Sequence, residues 1–142
     1  MDFQLLTVEN EDLKKYKVVL QEAFQKGFEE QFGKTDKIIL PEKDIEQSLN
    51  SKGAVAYKAV VDGKMVGGAV VVIDEKAYHN HLDLLFVKYG TQSKGIGKKI
   101  WFEIEKLYPE TKVWETYTPY FEKRNIHFYV NVCGFCIIEF FN

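Results

Sequence analysis

Apolar residues recur along the chain with two different periods, and the change of period separates predicted helices from predicted strands. Residues 3–8 favour a short strand, and Asn10 is a suitable cap for a helix that follows it. Apolar residues then stand three or four positions apart, as on one face of a helix: Leu13, Tyr16, Leu20, Phe24, Phe28 and Phe32. The chain is therefore expected to begin with a strand and a long amphipathic helix.

A short helix and an antiparallel hairpin are predicted next. Pro41 favours a helix start and Gly53 a helix end. Two segments rich in β-branched residues follow, over residues 54–61 and 65–73, and Asp62-Gly63 between them is a strong signal for a tight turn. These two segments are expected to pair as antiparallel strands.

The second half of the chain alternates strands with helices. Its predicted elements are a strand over 79–88, a loop over 90–97 that leads into a helix closed by Pro109, a strand over 113–118, a helix from Thr118 to about Cys133 and a strand over 135–141. A strand, a helix and a further strand in succession favour parallel pairing through a right-handed crossover. The order β-α-α-β-β-β-α-β-α-β therefore predicts an α/β fold with a mixed antiparallel and parallel central sheet of about six strands, flanked by about four helices.

Composition and charge narrow the functional classes. The 142 residues are sufficient for a single domain, expected to span residues 1–142, and 46% of them are hydrophobic. The 19 Lys and Arg residues nearly balance the 21 Asp and Glu residues, which argues against a dedicated nucleic-acid binder. No apolar run approaches the roughly 20 residues that cross a bilayer, and the first residues lack the features of a signal peptide. We therefore expect a cytoplasmic domain that binds neither nucleic acid nor membrane.

A glycine-containing loop between a predicted strand and a predicted helix is the first candidate binding site. Gly95 and Gly97 lack side chains that would block a ligand, so a phosphate could rest on the unpaired amides at the positive end of the helix dipole. Lys94 and Lys98 would add positive charge. Neither the Gly-Lys-Ser/Thr ending of a P-loop nor the three-glycine dinucleotide fingerprint is present.

The residues around this loop carry a more specific signal. Gln92-Ser93-Lys94-Gly95-Ile96-Gly97 resembles the Gln/Arg-x-x-Gly-x-Gly/Ala motif of the GNAT superfamily of N-acetyltransferases, and Val87 stands where that family has an aliphatic residue. Downstream, Asn125, Tyr129 and Gly134-Phe135 are similar to a second family signature. The resemblance extends over essentially the whole chain, because the predicted element order is also the GNAT order.

This resemblance implies acetyl-CoA as cosubstrate. Loop amides would hold the pyrophosphate, and the backbone of Phe86 and Val87 would pair with the pantetheine arm between two splayed strands. By the same resemblance, Asn125 and Tyr129 would lie on the far side of that arm. The residues expected to bind the cofactor are Phe86, Val87, Gln92, Ser93, Lys94, Gly95, Ile96, Gly97, Lys98 and Asn125.

Acetylation of an amine also requires a base and an acid. An alkylamine with a pKa near about 10.4 is almost entirely protonated at neutral pH, and only its neutral form attacks a thioester. Tyr129 resembles the family's usual acid, although it stands five residues before Gly134 and four after Asn125, where spacings of four and seven are commoner. The alternative is a core tyrosine on an amphipathic helix.

The predicted strand over 79–88 supplies the candidate base. Its period-two alternation places His79, His81, Asp83 and Leu85 on one face. In some family members the base lies four or six residues before the position of Val87, which corresponds here to Asp83 and His81. A histidine titrates near neutrality, so His81 is suited to act as base with Asp83 orienting it. The alternative is an ordinary histidine at the edge of a strand.

No metal is expected. His79-Asn80-His81 could offer two ligands, but no third is identifiable nearby in sequence, and Cys133 and Cys136 lack the second pair that a zinc site requires. Small apolar packing is the better account of both cysteines.

Partners and alternatives complete the sequence-based expectations. The chain ends after about six predicted strands where the family usually has seven, so either a second subunit covers an open edge, as in a homodimer, or the chain is shorter than the natural protein. The acceptor is expected to be a small-molecule amine or an exposed amino group. Glu29, Glu30, Asp83 and Glu115 near the pocket would suit a cationic one. The competing hypotheses are a catalytically silent acyl-CoA-binding module and a nucleotide-phosphate binder of unrelated fold.

Overall fold

A computed structural model describes residues 2–91, 95–117 and 127–136 of the chain. The elements in chain order are β1 (Phe3–Thr7), a 3-10 turn (Asn10–Asp12), α1 (Leu13–Phe32), α2 (Glu42–Leu49), β2 (Ala54–Val61), β3 (Lys64–Val72), β4 (His79–Val87), α3 (Ile96–Leu107), β5 (Val113–Thr116) and a π-helical turn (Phe128–Val132). In the described part of the chain, no helix is long and apolar enough to cross a membrane.

The strands form one sheet in the order β1-β2-β3-β4-β5. The first three pairs are antiparallel, and β4 pairs with β5 in parallel through the α3 crossover. The predicted hairpin between β2 and β3 is confirmed: Asp62 and Gly63 both have positive φ angles, 49° and 82°. That geometry matches the twist of the flanking strands. The predicted mixed α/β sheet is thus confirmed.

The sheet separates two apolar layers. On one face, α1 and α2 pack on it through buried Tyr16, Leu20 and Ile45. On the other face, α3 packs on it through a buried stripe that includes Ile100 and Trp101. A helix face buried on each side fixes the orientation of the sheet, so each strand residue points toward either the α1–α2 face or the α3 face.

A β-bulge interrupts the strict alternation of β4. Val70 of β3 pairs with Leu84 and Val71 pairs with Leu82, so Asp83 is the additional residue without a partner on β3. Leu82 joins the apolar layer on the α3 face, whereas Leu84 packs in the layer on the α1–α2 face. A bulge places two successive residues on one side, which inverts the alternation that follows.

This bulge corrects one prediction about β4. Leu85 packs against the layer on the α3 face, whereas Asp83 contacts α2 on the opposite face. Leu85 therefore does not share a face with His81 and Asp83, because the period-two count continues only as far as the bulge.

Other elements differ from the sequence-based expectation in extent. The sheet has five strands among the described residues; most of the predicted sixth, over 135–141, lies outside them, as do residues 118–126 of the last predicted helix. Phe32 at the end of α1 is 46% exposed, so the predicted apolar row is not buried over its whole length.

Candidate active site

The parallel strands β4 and β5 separate at the edge of the site. The pairing of β4 with β5 ends at Leu82 and Thr116, whereas β4 itself continues to Val87. On the side of β4 that faces away from β3, the main chain beyond Leu82 therefore has no ladder partner among the described residues. Such a gap can accept an extended chain that presents its own amide groups.

The N-terminus of α3 lies just beyond the end of β4 in sequence. Gly95 precedes the helix with φ of +66°, and a Cβ built on it would meet nothing within 4 Å. The first amides of α3 have no partner within the helix, and they lie at the positive end of its dipole. The place is therefore open to an anion such as a phosphate.

The other residues predicted to bind the cofactor have different surroundings. Ile96 is 2% exposed and Phe86 is 3% exposed, so both residues are packed in the interior. Lys88 N–H donates to Val66 O, and because such pairs recur at every second residue, the N–H and C=O of Phe86 also face β3, whereas those of Val87 face away from it. Lys98 extends along α3, with Nζ 5.4 Å from the centre of the Phe102 ring. Gln92, Ser93, Lys94 and Asn125 lie outside the described residues.

Beside the gap, on the α1–α2 face, two histidines and two carboxylates cluster together. His81 Nε2 is 3.7 Å from Asp83 Oδ1, and His79 Nε2 is 2.8 Å from Glu115 Oε1. His81 and Glu115 are register partners on adjacent strands, and the Tyr117 ring lies 4.9 Å from the His81 ring. The structure therefore brings His81 and Asp83 together as predicted.

Burial is the dominant influence on His81. It lowers the pKa of the imidazole below 6.5, against the opposing effects of Asp83 and Glu115; His79 contributes a further lowering. Burial disfavours the charged form of a histidine more than these carboxylates restore it. His81 is consequently neutral at neutral pH, which is the form that accepts a proton.

A serine that sequence reasoning did not single out holds the carboxylate of this cluster. Ser48 of α2 is 8% exposed and its Oγ donates a hydrogen bond to Asp83 Oδ2. Ser48 lies three residues after the buried Ile45, so it occupies a sheet-facing position of α2 where an apolar residue is usual. A polar residue at such a position was the available signal.

Tyr129 lies on the opposite side of the sheet. It packs in the apolar layer on the α3 face, with its ring centre 5.8 Å from that of Phe135. Burial raises the pKa of Tyr129 to about 12, the nearby Cys133 adds to the rise, and a side-chain hydrogen bond with Thr116 opposes it. Because Thr116 is the last paired residue of β5, Tyr129 adjoins the gap from the face opposite His81.

Neither cysteine supports the alternative chemistries. Cys133 and Cys136 are free, and no group of three or more potential metal ligands occurs among the described residues. Burial, with a smaller effect of Glu105, raises the pKa of Cys133 to about 12. Its thiol is therefore protonated at neutral pH and is a poor nucleophile.

A family model decides between the hypotheses that the geometry leaves open. The model of the acetyltransferase (GNAT) domain matches residues 15–118, which include most of α1, the whole gap and the N-terminus of α3. The chain belongs to the GNAT family. The unrelated nucleotide-phosphate fold is thereby excluded.

Relatives of this GNAT chain extend from a close homologue to distant structures. The uncharacterized protein YrkN of Bacillus subtilis (strain 168) is 51% identical over 132 residues, which are 92% of this chain and 71% of YrkN. Similar solved structures include the PaiA N-acetyltransferase of Thermoplasma acidophilum in complex with coenzyme A, with a TM-score of 0.73 and 18% identity over 92% of this chain and 88% of that one.

Two further GNAT-like structures have different described activities. An aminoglycoside acetyltransferase from an uncultured soil metagenomic sample has a TM-score of 0.64 and 20% identity over 99% of this chain and 95% of that one. The ribosomal-protein-alanine N-acetyltransferase of Brucella melitensis has a TM-score of 0.64 and 16% identity over 99% and 98%. At these identities the likeness shows the fold, and it confirms the GNAT architecture of the chain.

Proposed function

We propose that this GNAT protein transfers an acetyl group from acetyl-CoA directly to a primary amine. The observation that carries the proposal is the gap that opens beyond Leu82 and Thr116, next to the unpaired amides at Gly95. An extended pantetheine arm fits the main chain of β4 beyond Leu82, where the N–H and C=O of Val87 face away from β3. A pyrophosphate fits the N-terminus of α3. The coenzyme A in the related PaiA structure supports this assignment.

The cluster on the α1–α2 face would supply the base. An amine acceptor arrives as an ammonium ion and must lose a proton before its nitrogen can attack the thioester. His81 is neutral and lies beside the gap, so Nε2 is suited to take that proton. The resulting imidazolium would be stabilised by Asp83 and Glu115.

The phenol on the α3 face would act on the leaving group. With its pKa raised to about 12, Tyr129 remains protonated and can donate a hydrogen bond to the sulfur of CoA as the thioester breaks. Direct transfer is favoured over a covalent acetyl-cysteine because the thiol of Cys133 is itself held protonated.

The acceptor belongs to the amines, with a small molecule and an exposed protein amino group as the two classes. Both are represented among the structural relatives, an aminoglycoside acetyltransferase and a protein N-acetyltransferase. Asp83 and Glu115 beside His81 favour an acceptor with additional positive charge, because carboxylates near the base attract a polycation. A homodimer and a cytoplasmic location belong to the same proposal; light scattering of the purified protein tests the first.

Calorimetric titration with acetyl-CoA, followed by a CoA-release assay against a panel of amines, tests the proposal. We expect one bound acetyl-CoA per chain and release with at least one amine. His81→Gln should abolish most of the release and leave the binding of acetyl-CoA intact. His127→Gln is the matched control, because His127 is exposed and its imidazole contacts Asn131 rather than the cluster around His81.

Two outcomes would oppose the proposal. Binding without release for any amine would favour the silent acyl-CoA-binding module. Absence of binding would remove acetyl-CoA as the cosubstrate. Full activity in His81→Gln would leave the transferase in place but exclude His81 as its base.

A further inference from the structure

Ser48 links helix α2 to the proposed base through Asp83. The two oxygens of the Asp83 carboxylate have different neighbours: Oδ2 accepts a hydrogen bond from Ser48 Oγ, and Oδ1 faces His81 Nε2 at 3.7 Å. A separation of 3.7 Å is too long for a hydrogen bond but short enough for a strong charge–charge interaction. Asp83 is therefore near His81 and yet not bonded to it.

The bulge and the serine together fix this separation. As the additional residue of the bulge, Asp83 has no ladder partner on β3, so pairing with that strand alone does not hold its position. The hydrogen bond from the buried hydroxyl of Ser48 restrains the carboxylate from the α2 side. Without it, the carboxylate would be free to turn toward the neighbouring imidazole of His81.

From this geometry, and resting on the proposed function, we propose that Ser48 is a positioning residue that keeps Asp83 out of hydrogen-bond distance of His81. Nε2 then retains a free lone pair for the proton of the acceptor ammonium. The carboxylate still stabilises the imidazolium after the proton has moved from the amine nitrogen to Nε2. A carboxylate that accepted a hydrogen bond from Nε2 would favour a proton on that nitrogen, so Nε2 would no longer be available to take one from the acceptor.

The other charged groups around His81 are not affected by Ser48. His79 of β4 is paired with Glu115 of β5, and the Tyr117 ring lies against the imidazole. Burial and His79 lower the pKa of His81, and Asp83 and Glu115 oppose them. Asp83 is the group that Ser48 of α2 bonds, so a change at Ser48 acts on the imidazole through Asp83.

The test is an NMR titration of the His81 imidazole, assigned by its disappearance in His81→Gln, in parallel with the pH profile of kcat/KM. In Ser48→Ala, the freed carboxylate should move the titration midpoint to higher pH, and the base limb of the kcat/KM profile should follow. At pH values below the midpoint, kcat/KM should be about three- to tenfold lower than in the wild type, as expected for a newly formed ion-paired hydrogen bond. The KM for acetyl-CoA should not change.

Three variants separate positioning from a merely structural role. Ser48→Thr retains the hydroxyl and should restore the midpoint of the wild type. Ser51→Ala removes a hydroxyl that donates a hydrogen bond to the main-chain oxygen of Gln47, away from Asp83, and should have no effect. In Ser48→Ala combined with Asp83→Asn, the upward shift should vanish. If Ser48→Ala does not fold, Ser48→Cys, with a weak donor of similar size, should show the same upward shift.

The titration also distinguishes the two proposals. It needs no substrate, so a shifted midpoint in a protein that acetylates no amine would retain the positioning role and remove the proposed function. An unchanged or lowered midpoint in Ser48→Ala would overturn the positioning role, whatever the activity. Equal midpoints in Ser48→Ala and Ser48→Thr would overturn it as well.

Discussion

Replacing Tyr129 with phenylalanine tests the acid side of the reaction with the loss of one oxygen atom. The ring remains to fill the layer on the α3 face, where it packs against Phe135. What disappears is the hydroxyl, with its hydrogen bond to Thr116. If Tyr129 assists the departing sulfur, kcat should fall while the affinity for acetyl-CoA is retained.

The size of the effect follows from two pKa values. Burial raises that of Tyr129 to about 12. A thiol has a pKa of about 8.5, so complete proton transfer from Tyr129 to the thiolate is uphill by about 3.5 units, or about 5 kcal/mol. Tyr129 should therefore donate a hydrogen bond rather than its proton. Because sulfur is a weak acceptor, we expect a loss of about 10- to 100-fold in kcat, at or below the usual cost of one such donor.

Initial rates of CoA release at saturating acetyl-CoA measure this effect. Tyr108→Phe is the matched control, because it removes the same atom from a phenol in the same layer, where the hydroxyl forms a hydrogen bond with that of Tyr57. Both variants should lose about 1 kcal/mol of stability, the usual net value of one hydrogen bond. A kcat for Tyr129→Phe within threefold of the wild type would refute the assignment. So would weaker binding of acetyl-CoA with unchanged kcat.

Three further predictions concern pH and backbone geometry. Folding lowers the pKa of His81, so as the pH falls below about 6.5 the unfolded chain binds a proton at this imidazole before the folded chain does. The free energy of unfolding, measured with urea, should therefore decrease on acidification, and it should decrease less steeply in His81→Gln. The φ of +66° at Gly95 should make Gly95→Ala lose about 1 kcal/mol in thermal unfolding, and Gly95→Asn less, whereas equal losses would contradict strain as the cause. A Cβ at Gly68 would collide with the backbone of β2, so Gly68→Ala should lose more than about 2 kcal/mol, and a neutral effect would contradict the packing.

Local signals predicted the fold where they act through few residues. Asp62-Gly63 specifies its turn through two backbone conformations, and the structure confirms it. The amphipathic pattern likewise predicted α3, which ends at Leu107, shortly before Pro109. The start of α1 was less accurate: Glu9 rather than Asn10 makes the reciprocal capping contacts with Asp12, because a 3-10 turn precedes the helix.

The sequence predicted that two of the candidate residues lie together, but not how the candidate site is arranged. Strand periodicity placed His81 and Asp83 on one face, the GNAT resemblance singled out their positions, and the two side chains do lie together. Their catalytic roles remain predictions. The position of Leu85 could not be deduced, since a bulge is a property of two strands in register and not of one pattern. Ser48 was missed for the same reason: its role depends on a residue 35 positions away. The carry-over of Tyr129 as acid remains a prediction.

The bulge at Asp83 divides β4 into two segments whose side chains alternate between the two faces of the sheet in opposite phase. Up to Leu82 the even-numbered residues face α3, and from Leu84 onward they face α1 and α2. A deletion of Asp83 would restore one continuous alternation, so every residue on one side of the deletion would move to the opposite face of the sheet. Substitutions can therefore change the segment that carries the histidines or the segment that would line the pantetheine arm. The strand does not, however, tolerate a change of length at the point where the two segments meet.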